Sequence, residues 1–287
     1  MSTREFVHRV SSVPGVLALY GYAADGLDAG LHRGVPSRGL TFILSMDDPV
    51  EGAETLPHWN AGRLNAFDSL VAGLHITPAY IRQPTRQRGI QISVHPLAAP
   101  RLFGVPAGEL DRRTWPAEDV LGPGITALRE RLHEIPTWNG RFDAVEDYLR
   151  ARLSAERFRF RPRVEVREVW ARLAAADGAV PVSVLARETC LSERQLTVLV
   201  RRELGLTPRD LGRLMRFDAA FGALTRAVRG GLRPPLADLA VAHGYYDQAH
   251  LAREFRRFTD TSPSAFVGEE IGNIQAGGHR RARDWTA

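Results

Sequence analysis

The apolar positions change their period partway along the chain. Over the first hundred residues they fall in short runs: LTFILS (Leu40–Ser45), PAYIRQ (Pro78–Gln83) and GIQISVHP (Gly89–Pro96). These runs are rich in β-branched or aromatic residues and bounded by Gly, Pro, Asp or Ser, the pattern of strands closed by turns. Beyond Pro96 the spacing becomes three and four. GITALRERLHE and GRFDAVEDYLRARLS predict helices, with Phe142, Val145, Leu149 and Leu153 as one stripe. These elements read as a β-rich first domain with trailing helices over residues 1–155. An arginine-dense stretch interrupted by proline, ERFRFRPRVE, marks a linker at 156–165.

The second half carries the helical period nearly throughout. Val166, Val169, Trp170 and Leu173 form one face of a helix that stops near Gly178, a suitable C-terminal cap. Ser192 with Gln195, and Thr207 with Asp210, have the spacing of capping boxes, and Pro208 occupies the favoured first helical position. Ser262-Pro263 repeats that start. The expected second domain spans 166–268, and 269–287 reads as a flexible tail. The fold class is therefore α+β: a β-rich domain with trailing helices, then an all-α domain.

The recurring starts belong to an internal repeat. At an offset of 54, Leu185 falls on Leu239, Ala186 on Ala240, Cys190 on Gly244 and Leu191 on Tyr245. At 55, Leu196 falls on Leu251, Val200 on Phe255, Gly205 on Asp260, Thr207 on Ser262 and Pro208 on Pro263. The second copy thus holds one extra residue in its turn. Each copy is a short helix, a tight turn, a longer helix and a polar-Pro restart, which is the pattern of a helix-turn-helix. A helix from about Arg209 to Val228 joins the two.

In such a unit the second helix can enter a major groove. In the first copy that helix begins at Ser192 with Leu196, Leu199 and Val200 inward. Arg194, Gln195, Thr197, Val198 and Arg201 are then left outside. In the second copy Asp247 caps the helix and Leu251, Phe255 and Phe258 point inward, leaving Gln248, Ala249, Ala252, Arg253 and Arg256. Arginine suits guanine or phosphate, glutamine suits adenine, and alanine packs on a thymine methyl.

Charge supports this division. Up to Ala155 there are 16 arginines against 17 acidic residues, and from Glu156 onward 22 against 16, giving net charges of −1 and +6. Lysine is absent. A bias toward arginine codons would act on both halves and leaves that difference unexplained, so a polyanionic partner is expected for the second half. One cysteine excludes an intrachain disulfide framework and a Cys-cluster zinc site. No apolar run approaches the ~20 residues of a membrane helix, and the first ten residues lack a secretory core, so a cytoplasmic protein is expected.

The motif-bearing stretch LADLAVAHGYYDQAHLAREFRRFTDTSPSAF resembles the C-terminal DNA-binding domain of AraC/XylS-type transcriptional regulators. Gly244, Tyr245, His250, Arg253, Phe255 and Pro263 stand at the family's motif positions. LARETCLSERQLTVLVRRELGLTPRDLGRLMRFDAAFGAL resembles its first unit and linker helix. There are three departures: Ala249 stands for a serine, Asp260 for the closing glycine and Cys190 for the glycine of the first turn. The resemblance implies base readers at Arg194, Thr197 and Val198 and at Gln248, Ala249, Ala252 and Arg253. Arg201, Arg202 and Arg256 suit phosphate contacts, which position without reading sequence. Double-stranded DNA is the implied partner, with RNA polymerase, a small-molecule effector and a second copy of the chain as further candidates. No cofactor and no catalysis are implied, and the first domain would sense a signal or dimerise.

Other readings stay open. A DNA-repair enzyme can carry the same binding domain, although the first domain has no cysteine. A scaffold with degenerate units would keep the fold without DNA binding. GPGITA (Gly122–Ala127) reads as a helix start rather than a dinucleotide fingerprint, because no strand precedes it. The histidines show no metal-ligand spacing, although His75 and His95, on expected strands, could approach each other. Cys190 is expected as a small buried turn residue, and Trp115 and Trp138 as core.

Overall fold

The computed structural model describes residues 3–27, 29–110, 114–155 and 161–275. Ten strands occupy the first part: β1 (Thr3–Val10), β2 (Val16–Asp25), β3 (Gly30–Gly34), β4 (Leu40–Ser45), β5 (Val50–Ala53), β6 (Asn65–Phe67), β7 (Ser69–Ala72), β8 (Ala79–Gln83), β9 (Arg86–Val94) and β10 (Thr114–Pro116). Between and after them come α1 (Leu56–Asn60), α2 (Ala99–Leu102), α3 (Ala117–Leu121), α4 (Gly124–Glu134) and α5 (Trp138–Ser154). The second part is α6 (Val164–Ala175), α7 (Val182–Glu188), α8 (Glu193–Leu204), α9 (Pro208–Arg229), α10 (Leu236–Ala242), α11 (Gln248–Thr259) and α12 (Pro263–Gln275). The expected linker loses its last two residues to α6, while 156–160 lie outside the described residues. Helix α12 runs to Gln275, past the boundary expected at 268. The rest of the expected tail, 276–287, is outside the described residues.

The strands form two antiparallel sheets, six strands in the order β1-β2-β9-β4-β7-β10 and four in the order β3-β8-β5-β6. Alternation along β4 decides which way the larger sheet faces. Leu40, Phe42 and Leu44 are fully buried, with Ile90, Ile92 and Val94 of β9 beside them in register. They belong to one core with Phe103 and with Leu132, Phe142, Val145 and Leu149 of the trailing helices. The opposite face, with Tyr22, Thr41, Ile43, Ser45 and Gln91, lines a cavity of about 730 Å³ shared with the smaller sheet. Gly21 lacks a side chain because Trp138 lies where a Cβ would sit, 2.5 Å from that point. The indole and Trp115 both pack on the core, as expected.

The strand placement expected for two histidines does not hold. His75 and His95 stand in loops just beyond β7 and β9. His75 bonds Thr77 O at 2.7 Å, while the His95 ring packs tilted against Trp170 of α6, their centres 4.7 Å apart. Burial lowers the His95 pKa to about 4, so it is neutral packing at the junction of the two domains.

Further contacts cross that junction. Arg38, after β3, donates from Nε to Asp218 of α9 at 2.7 Å, and the two residues are only 7% and 2% exposed. Tyr80 of β8 donates to Asp260 at the end of α11 (3.1 Å), and Arg33 of β3 pairs with Glu269 of α12 at 2.5 Å. The 3-10 turn Ala107–Leu110 seats Gly108 against the end of α8. A Cβ there would lie 2.1 Å from the Arg202 carbonyl oxygen, so only glycine permits the approach.

Burial pushes the Asp218 carboxyl up to about 6 against the opposing pull of Arg38. Replacing Arg38 with methionine removes that pull and leaves the acid alone in the interior. Arg38→Met is expected to destabilise the protein by about 3–5 kcal/mol at pH 7.5, the usual cost of breaking a buried pair. An acid whose folded pKa lies above its unfolded one favours folding at low pH and loses that benefit as pH rises. The deficit should therefore be smaller at pH 5 than at pH 7.5 in urea melts, and an equal deficit at both would contradict the assignment.

Candidate nucleic-acid interface

The two repeats close their turns with the same hydrogen bonds. Leu191 N donates to Ala186 O and Tyr245 N to Ala240 O, each at 2.9 Å. Cys190 N donates to Arg187 O and Gly244 N to Val241 O, each at 3.2 Å. Both bonds require the residue before Leu191 or Tyr245 to turn left-handed. Gly244 does so at φ 69° and Cys190 at φ 55°. Cys190 is exposed, contrary to the expectation of a buried residue, because the turn directs its side chain outward.

Starts and ends of the long helices match as well. Ser192 accepts from Gln195 N and the Gln195 side chain accepts from Ser192 N, a complete capping box. Asp247 accepts from His250 N at 2.6 Å. Helix α8 ends on Gly205 (φ 81°) and α11 on Asp260 (φ 58°), both left-handed, and their N–H groups close back on Arg201 O and Arg256 O. Aspartate tolerates this conformation better than most residues, which explains how it can replace the glycine. Thr207 and Ser262 then cap the following helices.

Helix α9 holds the two units. Where it passes unit one, Gly178 lies so close to Gly212 that a Cβ would come 1.8 Å from the Gly212 oxygen. Where it passes unit two, Phe217 stacks on Phe258 at 4.4 Å, and Phe217 and Phe221 meet Phe255 at 5.6 and 6.1 Å. Arg213 clasps Glu254 through two nitrogens, fixing the rotation of α11. At 1.5 Å per residue α9 is about 33 Å long, the scale of one turn of duplex DNA.

The outer faces are open with the β-rich domain in place. Arg194, Gln195, Arg201 and Arg202 are exposed, and Val198 is 62% exposed despite being apolar. Gln248, Ala249, Arg253 and Arg256 are exposed likewise, whereas Thr197 and Ala252 are half-buried. Two candidates have local duties: the Gln195 carbonyl oxygen serves the cap, and the Thr197 hydroxyl donates to Glu193 O at 2.7 Å. Leu196, Leu199 and Val200, and Leu251, Phe255 and Phe258, are buried.

Two exposed residues were missed. Arg257 stands in register with Arg202 at the offset of 55, so the repeat itself held the signal. Tyr246, 89% exposed, is the extra residue of the second turn, directly before the cap Asp247.

The class of protein is thus a β-rich domain docked on paired helix-turn-helix units. Residues 185–268 match a family described as a helix-turn-helix domain. The chain carries an AraC-type helix-turn-helix domain, a DNA-binding module. No curated protein matches the chain. Solved structures of ToxT from Vibrio cholerae share its overall fold. An apo variant from strain SCE256 has a TM-score of 0.51 at 10% identity, covering 87% of this chain and 96% of its own. A 1.65 Å structure has 0.50 at 9%, covering 93% and 98%. ToxT bound to (E)-4-(8-methylnaphthalen-1-yl)but-3-enoic acid has 0.51 at 8%, covering 93% and 98%. None of the described helices is long and apolar enough to cross a membrane.

Cys190 holds a conformation that is costly for a side chain with a Cβ and nearly free for glycine. Cys190→Gly should stabilise the chain by about 0.5–1 kcal/mol after the added freedom of the unfolded glycine is subtracted. Cys190→Val should destabilise it. Urea melts of both variants decide the matter, and a glycine variant no more stable than the parent would contradict the strain.

Proposed function

We propose that this chain is a cytoplasmic, one-component transcriptional regulator that works by binding rather than by catalysis. The observation that carries this reading is the pair of outward faces on α8 and α11, matched cap for cap and held by one helix. Arg194, Thr197 and Val198 read bases from the first unit, and Gln248, Ala249, Ala252 and Arg253 from the second. Arg201, Arg202 and Arg256 hold phosphates, and Gln195 presents its amide N–H₂ outward while its oxygen caps the helix. A regulator of this kind takes RNA polymerase, and for some sites a second copy of the chain, as its other macromolecular partners.

The β-rich domain is the sensor in this reading. Its cavity is bounded by Phe6, Tyr22 and Ile43 on the sheet and by Asp218 and Phe221 of α9. Apolar walls with scattered hydrogen-bonding groups suit a small organic effector. The arylbutenoic acid bound to a ToxT chain of the same overall fold is a useful first probe.

The test is selection of duplexes from a random pool with the full chain, followed by titration of single-base variants of the selected site. Arg194→Ala and Arg253→Ala should each lose about 1–3 kcal/mol on the selected site and flatten preference at one base pair. Wild-type affinity should fall steeply with salt. If both variants weakened every duplex equally, the assigned readers would be phosphate contacts instead.

A further inference from the structure

The seam between the two units holds a second feature, apart from the outward faces. A cleft of about 660 Å³ lies among the start of α7, the first half of α9 and the flank of α11. Its charged lining is Arg209, Arg213, Arg216, His250, Glu254 and Arg257. Four guanidinium groups thus face one carboxylate, and that carboxylate is already committed to Arg213. Asp210 at the edge reaches Arg213 and Arg257 only at 3.7 Å each, and its own oxygen accepts from the Thr207 hydroxyl. Arg209 and Arg257 are exposed at the cleft. Deeper in, Arg216 lies over the Tyr245 ring at 5.9 Å and donates to Gly178 O at 3.3 Å, yet its buried Nε meets no acceptor. A buried donor without an acceptor is costly, and a cleft with this surplus of cation invites an oxyanion.

Position identifies the oxyanion. The cleft draws residues from both units and from the helix that joins them. Its Arg257 lies one helical turn beyond the exposed Arg253 of α11. A duplex that offers successive major-groove segments to two helices must carry its backbone across the gap between them. We propose that this seam cleft seats a phosphodiester of the DNA backbone between the two half-sites. Arg209 and Arg257 grip it from the outside, and the Arg216 guanidinium adds positive charge deeper in the lining. The inference rests on the regulator reading and adds a function for the seam: it sets the register of one half-site against the other, independent of base sequence. Sequence reasoning placed phosphate contacts only on the outer helices.

Phosphate ethylation interference with the full chain on a selected duplex tests this. Wild type should show interference at phosphates between the half-sites as well as beside each one. In Arg209→Ala/Arg257→Ala the intervening signals should vanish while those beside the half-sites persist. The slope of log affinity against log salt should shrink by about 1–2, with an equal loss on every sequence. The two residues are exposed, and an unchanged melting temperature will show that folding is intact. Selective binding without interference between the half-sites, or interference that survives in the double variant, would overturn the cleft assignment and leave the regulator reading standing. Failure of wild type to select any duplex would overturn both.

Discussion

Helix α9 must satisfy three partners at once, and the rest of the molecule is arranged around that demand. Gly212 meets the turn of unit one, Phe217 and Phe221 meet the aromatic cluster of unit two, and Asp218 meets Arg38 of the β-rich domain. At 100° per residue these positions point in different directions around the helix axis. A helix used on several sides cannot show a clean polar stripe, and Leu211, Leu214, Met215, Phe217, Ala219, Ala220, Phe221 and Leu224 are all buried. Its single proline is at the first turn, where a missing N–H costs nothing. Any tilt of α9 would move both recognition helices and the β-rich domain together.

Local chemistry determined what could be read from the sequence. The turns, caps and inner stripes of the second half are set by residues within five positions of one another, so the repeat exposed them. Ser192 with Gln195 and Asp247 before Gln248 became caps where expected. Strand β4 was equally legible, since Leu40, Phe42 and Leu44 alternate with half-exposed partners. Strand β2 was not, because its pairing with β9 spans about seventy residues and its Gly21 is dictated by Trp138 far along the chain. The junction was illegible for the same reason. Nothing near Gly108 in sequence announces that the Arg202 carbonyl will approach it. Among candidate site residues, exposure was legible for Arg194, Val198, Ala249, Arg253 and Arg256. The bond of the Thr197 hydroxyl to Glu193 O had no such signal, since a threonine mid-helix can equally point its hydroxyl to solvent.

The β-rich domain touches the two recognition helices at corresponding places. Gly108 abuts the end of α8, and Tyr80 bonds Asp260 at the end of α11. Both contacts fall at the C-terminal caps and leave the outer faces of the helices open. If the β-rich domain is the sensor proposed above, this docking gives it no means of covering the outer faces, and its leverage would be on where the two helices stand relative to each other.

The cavity lies where such control would begin. Arg33, Tyr80 and Asp218 line it, and the same three residues carry the bonds to α12, to the α11 cap and to Arg38. A ligand that altered any of these bonds would interact differently with the docked and undocked arrangements, and only such a difference can shift their populations. Asp218 has the most leverage. It is buried on α9, it is held against desolvation by one arginine, and α9 fixes the spacing of both units. Competition for Asp218 inside the cavity would therefore be felt at the duplex through the helix that both units share. The path is short, because it consists of one ion pair and one rigid rod.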